Sequence, residues 1–220
     1  MSTTNATDKS VTSTPTPRTW MAVLGGIAAG AVTIGVAELL AGFMERMGLS
    51  GGTPSPVLAV GEAFIDLTPT WLKTFAINTF GTNDKTVLLI GIAVVLLALS
   101  CVVGFLLSRT PVAALIGFVV LLAIASAAVI TRAGAAPVDL LPMILGGMAG
   151  LLMLHWWRGA FVVPQWPAEA GAERRQVLVW TAFSVIGGGL ALAAGRAVSG
   201  SARVVQAARS AFVAPTVARP

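Results

Sequence analysis

The chain has 220 residues, of which 56% are hydrophobic and 10% charged, with a net charge of +5 and a mean hydropathy of +0.87. Soluble domains carry about 25% charged residues, so an ordinary soluble enzyme is excluded. The basic residues mostly flank apolar runs, which points to anionic headgroups and not to nucleic acid as their partner.

Residues 1–19 form a Ser/Thr/Pro-rich head that reads as disordered and cytoplasmic. Five long apolar runs follow, at 20–43, 87–107, 112–130, 140–157 and 177–198. Each approaches or exceeds the ~18–20 apolar residues that cross a ~30 Å hydrocarbon core at 1.5 Å per residue. The expected fold is an all-α membrane protein: a five-helix transmembrane bundle over 20–198, with short amphipathic interfacial helices on the extracytoplasmic side. The first run is longer than the roughly 7–15-residue core of a signal peptide, and Glu45-Arg46 follows it, so it reads as a signal anchor.

Within the first run, Gly26 and Gly30 form a small-xxx-small pair, as Gly146 and Gly150 do in the fourth, while Gly187, Gly188 and Gly189 sit in the middle of the fifth. Helices in lipid associate through close backbone approach, which small residues permit. Glu38 falls about 27 Å along the helix from Trp20, near the expected outer boundary. The expectation is a snorkelling or structural carboxylate paired with Lys85 or Arg132, and an ion path would want a second intramembrane carboxylate.

Segment 54–81 is read as an interfacial platform. Val57, Leu58, Gly61, Phe64 and Ile65 recur at helical spacing, with Glu62 and Asp66 four apart on another face. Thr68-Pro69 then reads as an N-cap with proline at the first helical position, and Trp71, Leu72, Phe75, Ala76 and Phe80 line a second stripe. Glu62, Asp66, Trp71, Phe75 and Phe80 are the candidate docking residues. Such faces suit the membrane interface or a partner lying on it.

The fourth run ends in His155-Trp156-Trp157-Arg158, the composition of an aromatic belt with an inner-side anchor. Cys101 and His155 are the single cysteine and the single histidine, so no disulfide framework exists, and a bis-histidine haem or a zinc site lacks ligands. Arg174 and Arg175 precede the last run within Glu-Arg-Arg-Gln-Val-Leu, which resembles a loosened twin-arginine export signal. Glu173 stands where a small hydroxyl residue is usual and Val177 where phenylalanine is usual. Plain positive-inside anchoring is the other reading of the same pair. Residues 199–220 form an amphipathic tail and linker, with Val204, Val205, Ala208, Ala211 and Phe212 as the stripe of a third interfacial helix.

With five spans the termini lie on opposite sides. Lys9, Arg18, Arg109, Arg158, Arg174 and Arg175 on one side, against Arg46, Lys73, Lys85 and Arg132 in the loops of the other, favour a cytoplasmic N-terminus in the plasma membrane and an extracytoplasmic C-terminus, with the tail's Arg196, Arg203, Arg209 and Arg219 then lying outside.

Residues 56–92 carry Asp66-Leu67-Thr68-Pro69, Phe75-Ala76, Thr79-Phe80-Gly81-Thr82 and Asp84-Lys85, and Val36-Ala37-Glu38-Leu39 lies in the first span. Together these resemble the membrane portion of actinobacterial molybdopterin-dependent oxidoreductases of the sulfite-oxidase type. The resemblance implies that several helices precede an extracytoplasmic catalytic domain, and that a double arginine opens the last of them. It implies molybdopterin for that domain or partner, while no cofactor, metal or catalytic residue is assigned to this chain. Cys101, buried mid-span, does not replace the family's molybdenum-ligating cysteine. The chain alone is expected to be non-catalytic: a membrane anchor and docking platform, either as part of a longer enzyme or as a free-standing subunit. A small transporter or channel, or a quinone-interacting membrane subunit, is the alternative expectation.

Overall fold

A computed structural model describes residues 19–71, 74, 84–162 and 170–211. Among the described residues the main helices are α1 (Thr19–Met47), α2 (Pro56–Leu67), α3 (Asp84–Arg109), α4 (Pro111–Ile130), α5 (Leu141–Trp157) and α6 (Ala170–Ala211). A short 3-10 turn, Pro137–Leu140, leads into α5, and a π-helical turn, Arg158–Val162, follows it. Among the described residues there is no strand. Among the described residues, five stretches are long and apolar enough to cross a membrane: Thr19–Met47, Ile90–Arg109, Pro111–Ile130, Pro137–Phe161 and Arg174–Gly200. They correspond to the five apolar runs of the sequence and make this a multi-pass membrane protein.

Local chemistry sets the breaks between helices. α3 and α4 are separated by Thr110 alone, whose Oγ1 accepts a hydrogen bond from the Ala113 amide at 3.1 Å while Pro111 opens α4. Proline at the first helical position costs no hydrogen bond, since that amide has no intrahelical partner anyway. α1 closes in a Schellman motif: Gly48 has φ +69, its amide donates to the Glu45 carbonyl, and the Leu49 amide reaches the Met44 carbonyl at 3.0 Å.

Burial is inverted relative to a water-soluble bundle. Phe183, Leu190, Leu152 and Ile124 face outward, whereas Glu38 and Asp139 are buried. Apolar groups gain nothing by leaving lipid, so large side chains line the perimeter and close packing holds the interior together.

α1 is the central post, and α3, α5 and α6 all pack on it. Small residues bring the backbones together. A Cβ on Gly26 would collide with the Ser100 carbonyl and Gly104 of α3, and one on Gly146 would approach the Thr33 carbonyl of α1. The α1–α6 contact is the most intimate: Gly35 faces the Gly188 backbone, and Gly42 faces Gly195, which in turn abuts the Glu38 carbonyl. Of the expected glycines, Gly26, Gly146, Gly150 and Gly188 come against backbone, Gly30 meets the Ser100 side chain, and Gly187 and Gly189 meet open space.

The two ends of the bundle are packed differently. Around the start of α1 a side-chain core gathers Met21, Val103, Phe118, Leu154, Trp157 and Phe161. Trp157 is fully buried; its ring fills the space left by Gly25, and its Nε1–H donates to the Met21 carbonyl at 2.8 Å. This corrects the reading of Trp156 and Trp157 as a common belt, because only Trp156 is exposed. His155 is exposed beside it. A second difference concerns the tail: the stripe beginning near Val204 is not a separate helix up to Ala211 but the continuation of α6, 42 residues long. No proline interrupts the chain there, so the helical ladder has no cause to stop.

Gly195→Leu should drive a side chain into the α1 backbone at Glu38 and destabilise the bundle by about 1–3 kcal/mol or more. Gly187→Leu, which points into open space, should leave stability nearly unchanged. Unfolding titrations in mixed detergent micelles compare the two.

Candidate functional site

At the end of the bundle where α1, α4 and α6 finish their spans, two loops and one helix are tied down by buried carboxylates. The α2 N-terminus supplies the first tie. Ser55 is the N-cap, its Oγ accepting from the Leu58 amide at 3.2 Å, and Pro56 occupies the first helical position without an N–H. The Val57 amide is then the one early donor left over, and it donates to Glu38 Oε1 at 2.9 Å. The Ser55 hydroxyl also donates to the Glu38 carboxylate, 2.7 Å from Oε1 and 2.9 Å from Oε2. Glu38 is only 3% exposed, so the carboxylate of one helix completes the cap of another. The partial positive charge of the α2 N-terminus further favours that anion.

Among the described residues, the basic neighbour of Glu38 is Arg196 of α6, with Nε 4.0 Å from Oε2. The expected partners were Lys85 or Arg132. The Lys85 side chain lies outside the described residues, and Arg132 is occupied elsewhere. Its Nη1 stands 2.8 Å from Asp66 Oδ2 and 3.8 Å from Glu62 Oε2. Glu62 and Asp66, one turn apart on α2, thus bracket a cation from the α4–α5 connection. Both carboxylates are largely exposed, so the pair steers α2 more than it stabilises the fold.

Asp139 makes the second tie. It is 1% exposed and accepts three backbone N–H groups: Gly51 at 3.2 Å, Gly52 at 3.0 Å and Ala136 at 2.9 Å. Two of these belong to the α1–α2 loop and one to the α4–α5 loop, so a single carboxylate rivets the loops together. Gly51 and Gly52 lie against Gly134, Ala135 and Ala136, where a Cβ would come within 2.8 to 2.9 Å of its neighbours. Gly134, at φ +76, turns the second loop into this contact.

Beyond the ties, α2 presents apolar side chains outward. Pro56, Val57, Ala59 and Gly61 are buried, whereas Phe64, Ile65, Leu67 and Trp71 are exposed, Leu67 by 84% and Trp71 by 71%. Thr68 breaks the helix after Leu67. Trp71 therefore falls on the open rim of the expected platform. The candidates Phe75 and Phe80 lie outside the described residues. Arg174 and Arg175 are exposed near the start of α6, at the far end of that helix from Arg196, and do not join this site.

Sequence reading missed Ser55, Asp139 and Arg196 as site residues. Ser55-Pro56 carries the same cap-then-proline pattern recognised at Thr68-Pro69. Asp139 stands three residues after Ala136, the spacing at which an acid reaches back to an N-cap amide. Nothing local marks Arg196.

Chemically, the arrangement ties segments together: Glu38 and Asp139 accept from hydroxyl and amide donors of the α2 N-terminus and of the two loops. Among the described residues no three His, Cys, Asp or Glu side chains gather as a metal-binding group. No protein-family model, characterised protein or solved structure matches this chain.

Asp139→Ala orphans three buried amides, each costing about 1–3 kcal/mol when unsatisfied. Amide hydrogen exchange at Gly51, Gly52 and Ala136 should accelerate strongly, with little change around Trp157. Glu38→Ala should in the same way accelerate exchange at Val57 and Leu58, and Glu38→Gln, which keeps an acceptor, should do so less.

Proposed function

We propose that this chain is a membrane anchor and docking platform for an oxidoreductase domain or subunit outside the bilayer. The observation that carries the reading is α2 itself: a short helix fastened at one end of the spanning bundle by two buried carboxylates, with Phe64, Ile65, Leu67 and Trp71 left uncovered. A helix that only skimmed lipid would not need its first turn capped by an intramembrane glutamate and its leading loop riveted to a neighbouring loop. Rigid placement of an exposed apolar rim serves a partner that must be held in one orientation, because a preorganised surface loses less freedom on binding.

In this reading the partner is a molybdopterin-dependent oxidoreductase of the sulfite-oxidase type, on the strength of the sequence resemblance over residues 36–92. The pterin and its metal belong to that partner. The residues of this chain contribute anchoring and orientation: Glu38, Ser55 and Asp139 fix α2, Arg132 sets its direction through Asp66, and Trp71 meets the partner. The α2 end faces outward and the N-terminus lies in the cytoplasm of a plasma-membrane protein, following the distribution of Lys and Arg. Saturation of both buried carboxylates by donors argues against a transport path through them.

Replacing Trp71 and Phe75 together by alanine should weaken partner capture by about 30-fold, the loss expected for a buried aromatic anchor worth about 2 kcal/mol, while membrane insertion stays intact. Co-purification of a molybdopterin-containing protein with the wild-type chain and its loss from the double variant is the readout; equal recovery counts against the platform. For Arg174 and Arg175, replacement of both by lysine keeps the charge. Unchanged export of a reporter fused at the C-terminus assigns them to positive-inside anchoring, and loss of export assigns them to twin-arginine routing.

A further inference from the structure

α3 and α6 both pack on α1 but barely on each other. Between them lies a groove of about 370 Å³, open to the side and lined by Ile34, Ala93, Leu96, Gly189 and Leu192, with Arg196 at its end. Along α6 the lining runs from Val185 to Arg196, a rise of about 16 Å, close to the depth of one hydrocarbon leaflet.

The groove's end differs from its walls. Arg196 Nε is buried and makes no hydrogen bond. Its neighbour Glu38 does not satisfy it, for at 4.0 Å the two form an ion pair without a hydrogen bond. Glu38, in turn, is already compensated by the Ser55 hydroxyl, the Val57 amide and the α2 N-terminus. With Nε closed off and the side chain still 33% exposed, the guanidinium presents its accessible part to an anion at the mouth of the apolar channel. Guanidinium groups take phosphate through paired donors, and basic sites between spanning helices select anionic headgroups.

We infer that this groove is a binding site for one anionic phospholipid, its acyl chain lying between α3 and α6 on the face of α1 and its phosphate on Arg196. The groove meets α2 only at Val57, away from the exposed rim of Phe64, Leu67 and Trp71, and the inference does not rest on the platform reading. Gly189 is what keeps the channel open: a Cβ there meets nothing within 4 Å, so a larger side chain would occupy lipid space without disturbing the protein.

The test uses the full chain, purified and delipidated, then exposed to mixed micelles of detergent with dioleoyl phosphatidylglycerol or dioleoyl phosphatidylcholine. Native mass spectrometry counts the lipid retained. One phosphatidylglycerol should be held with about fivefold preference over phosphatidylcholine, the effect of a single cation at the membrane surface. Arg196→Gln should erase that preference and Arg196→Lys should keep most of it. Gly189→Leu should abolish retention of either lipid while thermal stability stays at the wild-type value. Equal retention of the two lipids by the wild-type chain, an unchanged preference in Arg196→Gln, or undiminished retention in Gly189→Leu would each overturn the inference. So would displacement of the phospholipid by a neutral quinone at equal concentration, since the head would then be a carbonyl and not a phosphate.

Discussion

Contact between the backbones of α1 and its neighbours is the constraint on which the molecule rests. In lipid, a leucine on a helix surface is as well solvated by acyl chains as by another helix, so apolar side chains cannot by themselves draw helices together. What remains is dispersion at short range, and that requires bare backbone. Gly26 against Gly104 of α3, Gly35 and Gly42 against Gly188 and Gly195 of α6, and Gly146 of α5 against the Thr33 carbonyl supply it around three sides of one helix. α1 accordingly has the most buried of the five spanning windows, at 44%, while that of α6 is 11% buried. α6 is held by the glycine seam along its middle and by Val177 and Trp180 near its start, which leaves grooves along its flanks.

Around that post the two ends solve different problems. Near the start of α1 a tryptophan, two phenylalanines and several aliphatics fill space as they would in a soluble core, and Trp157 finds a carbonyl for its one polar atom. At the α2 end the chain must leave the helical ladder twice, in the α1–α2 and α4–α5 connections, and each departure frees amides that lipid cannot satisfy. Glu38 and Asp139 collect those amides. The carboxyl groups buried in the structure are thus the expected consequence of loops that fold back onto a membrane bundle, and their effect is to convert flexible connections into a fixed surface.

The spanning helices were legible because their cause is local: an unbroken apolar run is measured against a bilayer of known thickness, and the runs at 87–107 and 112–130 need no knowledge of the fold. The α2 helix was legible from its spacing. The partners of its residues were not, because pairing depends on which helices adjoin and in what register. Glu38 was recognised as out of place in lipid, yet its arginine comes from α6, far along the chain, and no pattern around Glu38 points there. Trp157 was misread for the same reason. A tryptophan at the end of a span has the composition of a belt residue, and only Gly25, in a different helix, makes room to bury it. Ser55 and Asp139, by contrast, had local signals in the cap-proline pair and the three-residue offset from Ala136.

The continuity of α6 has a mechanical corollary. At 1.5 Å per residue its 42 residues measure about 63 Å, roughly twice the hydrocarbon thickness. The last eleven, from Ser201 to Ala211, prolong the spanning segment that ends at Gly200 by about 16 Å as one rod. A rod conveys azimuth as well as height. Each residue added to or removed from it would swing its tip by about 100° around the axis, so the length of this stalk sets a compass bearing relative to the α2 rim, and not merely a distance.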